Sequence, residues 1–218
     1  MGLVFEGRFA ANDVLLDYDL RDLEILQGPQ GSWLYAVNGQ HGGLSVFALD
    51  ATGAPQLTDS LYHSVAGLGI GPFDLGPGNL LTLGGTYGDH LVQYQIEPDG
   101  SLLPSQYSQL PGVDLNGLGV TTTVNLDQGH SVVYASGTTL DQGCALMGWR
   151  LNDVGQVLEK VATSGSNADY NLSGVAVLAT VASEVADGGS QFLLAADSGD
   201  LGLRSFRIDG QSGALSLV

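Results

Sequence analysis

The stretch Ser45-Val46-Phe47-Ala48-Leu49-Asp50-Ala51-Thr52-Gly53 decides how this chain folds. Val46, Ala48 and Asp50 fall on one side of an extended backbone, and Phe47 and Leu49 on the other. The alternation breaks at an acidic turn that closes on glycine. The same pattern returns as Val92-Gln93-Tyr94-Gln95-Ile96-Glu97-Pro98-Asp99-Gly100 and as Met147-Gly148-Trp149-Arg150-Leu151-Asn152-Asp153-Val154-Gly155. A fourth copy, Arg204-Ser205-Phe206-Arg207-Ile208-Asp209-Gly210, runs on to Gly213. A second mark recurs as Gly67-Leu68-Gly69-Ile70 and Gly117-Leu118-Gly119-Val120, with a weaker echo at Ser173–Val177. Repeats of roughly 40–57 residues built from short strands point to a β-propeller.

Each repeat divides into four strand-like pieces; in the first these are 23–26, 32–38, 44–50 and 56–64. The corresponding second strands are expected at 79–84, 130–136 and 190–197. Gly53, Gly100, Gly155 and Gly213 stand where a third strand turns into a fourth, a place that often requires positive φ. No amphipathic helix of ten or more residues is evident, so the fold class is all-β with four-stranded antiparallel blades. Four repeats are visible, at about 23–64, 65–112, 113–165 and 166–218. They either close as a four-bladed ring or form part of a larger propeller. Residues 1–22 stand before them, and Val14-Leu15-Leu16-Asp17-Tyr18 offers a strand that could complete the last blade and remove an open edge.

Composition narrows the function. The 218 residues carry 23 acidic and 6 basic side chains, a net charge of -17. Such a field repels nucleic acid and anionic membranes. Hydrophobic residues make up 44% and charged ones 13%, which excludes a disordered acidic tail. No apolar run approaches the ~20 residues of a membrane span, so no membrane insertion is expected. The single cysteine, Cys144, cannot form an intrachain disulfide. Beside Gly143, with no basic neighbour in sequence, it reads as a small packed thiol. The opening Met1-Gly2-Leu3-Val4-Phe5-Glu6-Gly7-Arg8 lacks the features of a secretory signal peptide.

The run from Gly43 to Gly53, followed by Asp59-Ser60 and Gly67-Leu68-Gly69-Ile70, resembles propeller regions of bacterial hemolysin-type (RTX) calcium-binding proteins. More distantly it is similar to lactonase-type and surface-antigen propellers. The resemblance covers about residues 20–218 and rests on repeat style rather than on a catalytic motif. No Gly-Gly-x-Gly-x-Asp nonapeptide occurs, so that family's calcium sites do not carry over. The resemblance implies export without an N-terminal signal, to the cell surface or the medium.

Chemistry is expected where second strands turn into third strands and where one blade leads to the next. The first set of loops contains His41, then Asp89 and His90, then Asp141, then Asp200, with Asp197 at the end of its strand. The second set contains His63, then Asp114 and Asn116, then Asp169 and Asn171. His41, Asp89, His90, Asp141 and Asp200 form a candidate metal-binding ring on one face, with Ca²⁺ as the candidate ion because it takes oxygen ligands. The competing reading is that Asp, Asn and Gly are simply the residues tight turns prefer. His130, at the other end of its strand, reads as structural. Phe47, Tyr94, Trp149 and Phe206, fixed in third strands, read as packing between blades rather than a sugar-stacking platform.

Catalytic signatures are missing: no Gly-x-Ser-x-Gly elbow, His-Glu-x-x-His helix or phosphate-binding Gly-x-x-x-x-Gly-Lys occurs. The six basic residues are Arg8, Arg21, Arg150, Arg204, Arg207 and Lys160, too scattered to clamp a phosphorylated substrate. The leading expectation is therefore a non-catalytic interaction or adhesion scaffold of an exported bacterial protein, with a protein or carbohydrate ligand. The alternative is a metal-dependent, lactonase-like hydrolase with its site on the face of the second-to-third-strand loops.

Overall fold

A computed structural model of the chain describes residues 19–38, 43–62, 73–76, 79–83, 90–103, 106–111, 115–126, 129–139, 143–165, 172, 175–182, 190–197 and 202–218. They form four antiparallel sheets of four strands each. Blade 1 holds β1 (Leu20–Gly28), β2 (Gly31–Asn38), β3 (Gly43–Leu49) and β4 (Pro55–Tyr62). Blade 2 holds β5 (Phe73–Gly76), β6 (Leu80–Leu83), β7 (His90–Gln95) and β8 (Gln106–Gln109). Blade 3 holds β9 (Leu115–Asn125), β10 (Ser131–Thr139), β11 (Gly143–Leu151) and β12 (Val157–Gly165). Blade 4 holds β13 (Val175–Ala182), β14 (Gln191–Asp197), β15 (Gly202–Ile208) and β16 (Leu215–Leu217). No α-helix occurs among the described residues, so none is long and apolar enough to cross a membrane. The chain's own C-terminal residues form the fourth strand of blade 4; Val14–Tyr18 lies outside the described residues.

The blades are arranged about an axis. The first strands touch in succession, β1 against β5, β5 against β9 and β9 against β13, so they line the centre. Among the described residues no β13–β1 packing of matching extent completes the circuit.

Register explains the cores. Leu34 stands opposite Phe47, Leu81 opposite Tyr94, Val133 opposite Trp149, and Leu193 opposite Phe206. These four pairs are the same position in the repeat, and in blades 2, 3 and 4 the pair looks toward the preceding blade. Tyr94 thus joins Trp33, Tyr35, Val37, Leu44 and Val46 of blade 1 in one core. Trp149 packs with Leu91 and Leu110 of blade 2 in a second. Phe206 packs with Val132, Tyr134 and Leu146 of blade 3 in a third. Three interfaces between four blades make three cores, each closed by an aromatic from the later blade. Burying one such ring contributes roughly 2–3 kcal/mol.

The turns lock these interfaces. Gly53, Gly100, Gly155 and Gly213 have φ of 83°, 85°, 81° and 76°, which a residue with a Cβ adopts only under strain. A carboxylate or amide oxygen fastens each turn: Asp50 accepts from Thr52 N at 2.7 Å, and Asp99 from Ser101 N at 3.0 Å. Asn152 accepts from Gln156 N at 2.9 Å and Asp209 from Ser212 N at 2.7 Å. In three blades the glycine also faces the preceding blade. A Cβ on Gly100 would collide with the Trp33 indole, one on Gly155 with Leu80, and one on Gly213 with Val132 at 2.8 Å. Trp33, Leu80 and Val132 share one repeat position, just before the aromatic-facing residue. Beside them the buried Tyr35 Oη donates to Gly100 O at 2.9 Å and Tyr134 Oη donates to Gly213 O at 2.8 Å.

Gly53 has the same φ as Gly100 but nothing within 4 Å of its would-be Cβ. Gly53→Ala is therefore expected to cost only the left-handed backbone penalty, about 1–2 kcal/mol. Gly100→Ala adds overpacking against Trp33, about 1–3 kcal/mol more. Urea unfolding of the two variants measures the difference, and equal losses would disprove the role of the glycine at the blade interface.

Candidate functional site

In every blade the second strand ends and the third begins at the same end of the sheet. The first strands run antiparallel to the second, so β1 and β5 begin at that same end. Asp22 pairs with Val37 near this face, while Glu24 pairs with Tyr35 at the middle of β1 and Asp74 pairs with Thr82 at the corresponding position of β5. Three carboxyl groups thus converge on neighbouring strands at the axis.

Two of them bind the next blade. Asp22 Oδ2 accepts the Phe73 backbone N–H at 3.1 Å, and Asp74 Oδ2 accepts that of Thr123 at 2.5 Å. Both interactions tie one central strand to its successor. On the outer side Asp59 Oδ2 does the same for Leu102 N at 3.1 Å. Burial pushes the Asp74 carboxyl above its ordinary range against the pull of the Thr123 donors, and the nearby Asp22 pushes in the same direction. Burial likewise raises Glu24, helped by Asp22 and Asp74. The exposed turn carboxylates Asp50, Asp99 and Asp209 move the other way, because N–H and O–H donors of their own turns stabilise the charge. Glu24 and Asp74 therefore hold their protons to higher pH than ordinary carboxylates do, the property that acid–base chemistry uses.

Of the ring expected from sequence, His90 is exposed at the start of β7, and Asp197 is buried at the end of β14, on the same face. His41, Asp89, Asp141 and Asp200 lie outside the described residues, as do His63, Asp114 and Asp169. Asn116 lies in β9. His130 is exposed just before β10, at the opposite end, where its carbonyl accepts Leu126 N at 2.7 Å. Cys144 is half-buried against the core between blades 3 and 4. Among the described residues no group of three His, Cys, Asp or Glu side chains is placed to hold a metal ion. Asp22, Glu24 and Asp74 were not singled out from sequence. The available signal was an Asp in a short first strand of two successive repeats, Asp22-Leu23 and Asp74-Leu75.

Three of the described basic residues are paired or stacked. Arg21 pairs with Asp19 at 3.0 Å, and Arg150 pairs with Glu159 at 3.1 Å. The Arg207 guanidinium lies over the Phe192 ring, 5.8 Å from its centroid.

No family model matches the chain, and no curated protein matches it. Solved structures do. A candidate 6-phosphogluconolactonase of Bacteroides fragilis superposes with a TM-score of 0.65 at 18% identity over 98% of this chain. One of Bacteroides uniformis gives 0.64 at 15% over 98%. The periplasmic gluconolactonase of Pseudomonas aeruginosa gives 0.59 at 18% over 89%. The chain spans 57%, 58% and 52% of their respective lengths. At these identities the likeness establishes the fold alone, a β-propeller. The hemolysin-type resemblance finds no support in these comparisons, and neither do the separate expectations of calcium binding, export and adhesion.

The raised Asp74 carboxyl has a consequence for stability. Above the unfolded-state value near 3.8 the native state retains a proton that the unfolded chain has lost. Its contribution is therefore favourable at low pH and is lost as pH rises through the native pKa. Asp74→Asn removes that titration. Relative to the parent, the variant is expected to gain stability as pH rises above about 4 in parallel urea titrations. A difference independent of pH would refute the burial effect.

Proposed function

We propose that this chain carries the reactive face of a lactonase-like hydrolase that acts on neutral lactones. The observation that supports it is the pair Glu24 and Asp74, carboxyls raised above their ordinary range on neighbouring central strands. Similarity of the fold to lactonase-type propellers favours the same reading. Lactone opening needs a base to take a proton from attacking water and an acid to return one to the departing ring oxygen. Glu24 is the candidate for this exchange, while Asp74 and Asp22 hold the central strands in place. His90 and the loop residues His41, Asp89, Asp141 and Asp200 are candidates to bind substrate or a Ca²⁺ ion.

A phosphorylated substrate fits less well, since Arg21, Arg150 and Arg207 are paired or stacked and phosphate recognition prefers converging arginines. Glucono-δ-lactone is therefore expected to be opened at least about tenfold more efficiently than its 6-phosphate. Proton release in weak buffer measures this, with spontaneous hydrolysis subtracted. Glu24→Gln is expected to lower kcat by about 10²-fold and to remove one limb of its pH profile, with little change in KM. Asp89→Ala and Asp141→Ala, with and without a chelator, test the ion. Hydrolysis no faster than the spontaneous rate would overturn the enzymatic reading.

A second reading, a non-catalytic scaffold for a protein or carbohydrate partner of an exported protein, draws on a specific observation. Asp22 and Asp74 already spend hydrogen bonds on joining blades, as structural carboxylates do. Calorimetric binding of an oligosaccharide without turnover would favour it.

A further inference from the structure

Among the described residues three joints connect neighbouring blades, and two of them share a latch. Between blades 1 and 2 the Tyr35 hydroxyl donates to the Gly100 carbonyl in the next turn at 2.9 Å. Between blades 3 and 4 the Tyr134 hydroxyl donates to the Gly213 carbonyl at 2.8 Å. Each latch has a companion beside it. Asp59 Oδ2 accepts Leu102 N at 3.1 Å, and the Arg150 guanidinium donates to Ser212 O at 3.3 Å. In blade 2 the place of these tyrosines falls to Thr82, the residue after Leu81, just as Tyr35 follows Leu34 and Tyr134 follows Val133. A threonine side chain ends at its γ oxygen, well short of the reach of a phenol hydroxyl. Thr82 therefore gives the Gly155 turn of blade 3 no such latch.

The middle joint differs in a second way. Asp74, Thr82, Gln93 and Gln106 pair in succession across the four strands of blade 2, on the face that meets blade 3. At the two inner positions of that row blade 1 has Tyr35 and Val46, and blade 3 has Tyr134 and Gly148. Thr82 and Gln93 are buried, and the Gln93 amide donates to the Thr82 hydroxyl at 3.3 Å, a bond that stays inside blade 2. Across the joint, Thr121 and Thr123 lie on the face of β9 that meets this row; a Cβ on Gly76 of β5 would come within 3.2 Å of Thr123. Thr121 is 6% exposed, and its Oγ1 makes no hydrogen bond. A sealed hydroxyl without a partner opposes close packing, and parting of the joint would let water satisfy it.

We infer that the joint between blades 2 and 3 is a hinge built into the fold. Blades 1 and 2 move as one unit and blades 3 and 4 as another, and the turn end of the joint between them opens to water. The pivot is the part that stays closed: the Asp74 bond to Thr123 N at the axis, and the apolar core around Leu91 and Trp149. Opening of this kind is a sub-global event, drawn from the least firmly held contacts of a structure that otherwise remains folded. Asp22, Glu24 and Asp74 all ride on the first unit, so the motion leaves their mutual spacing unchanged. This inference is independent of any catalytic activity.

Three matched reporters test the idea. The amides of Gly100, Gly155 and Gly213 each donate within their own turn, to Glu97 O, Asn152 O and Asp209 O at 2.9, 2.9 and 2.8 Å. Their hydrogen exchange is followed by NMR on the full chain and expressed as protection relative to the intrinsic rate. Gly155 is expected to be protected at least about tenfold less than Gly100 and Gly213. Tyr35→Phe keeps the ring and removes the latch, and is expected to lower protection of Gly100 about fivefold while leaving Gly213 unchanged. Thr121→Val removes the unpartnered hydroxyl at nearly constant shape and is expected to raise protection of Gly155. Equal protection at the three glycines in the parent, or reduced protection of Gly155 in Thr121→Val, overturns the proposal.

Discussion

The structure depends on a contact between a bare backbone and a bulky side chain. At Gly100, Gly155 and Gly213 the turn after the third strand lies against Trp33, Leu80 or Val132 of the preceding blade, where a methyl group would collide. The left-handed backbone that the turn requires and the space that the interface requires both select glycine. A single residue type therefore serves two constraints, and that coincidence fixes the spacing at which blades follow one another. The buried tyrosines add direction: Tyr35 and Tyr134 reach the carbonyl of that same glycine and so orient the turn as well as cover it.

Around this contact, polar groups are arranged by whether they serve a turn or a joint. Turn carboxylates are exposed and satisfied by their own loops, and their charge is comfortable there. Axial carboxyls are packed between strands of different blades, where the charge is costly although hydrogen bonds partly compensate it. The same chemical group thus behaves oppositely at the rim and at the axis. That contrast, more than any motif, gives the centre of the face its chemical character.

Much of the architecture was legible in the sequence because it repeats. The alternation around Phe47, Tyr94, Trp149 and Phe206, together with the glycines that follow, marked the third strands and their turns. The placement of Tyr94, Trp149 and Phe206 in blade-to-blade cores follows from their constant position. The axial acids were not legible. β5 is four residues long, too short for periodicity to show which face Asp74 occupies, and its partner Thr123 lies 49 positions away. Asp22 stands among the residues expected to precede the repeats, yet β1 begins at Leu20. Arg150 read from sequence as one of several scattered cations; its hydrogen bond to Ser212 O of the next blade emerges only when neighbouring blades are seen together.

The division of the apolar interior into three separate cores, each shared by two neighbouring sheets, has a thermodynamic corollary. Among the described residues, blades 2 and 3 each share cores with two neighbours, while blades 1 and 4 each share a core with one. Such an assembly behaves as a linear chain of coupled units with nearest-neighbour terms, whose end units open more readily than its middle. Order should therefore be lost by fraying inward, with the Leu91–Trp149 contact between the two central sheets the last part of the molecule to melt.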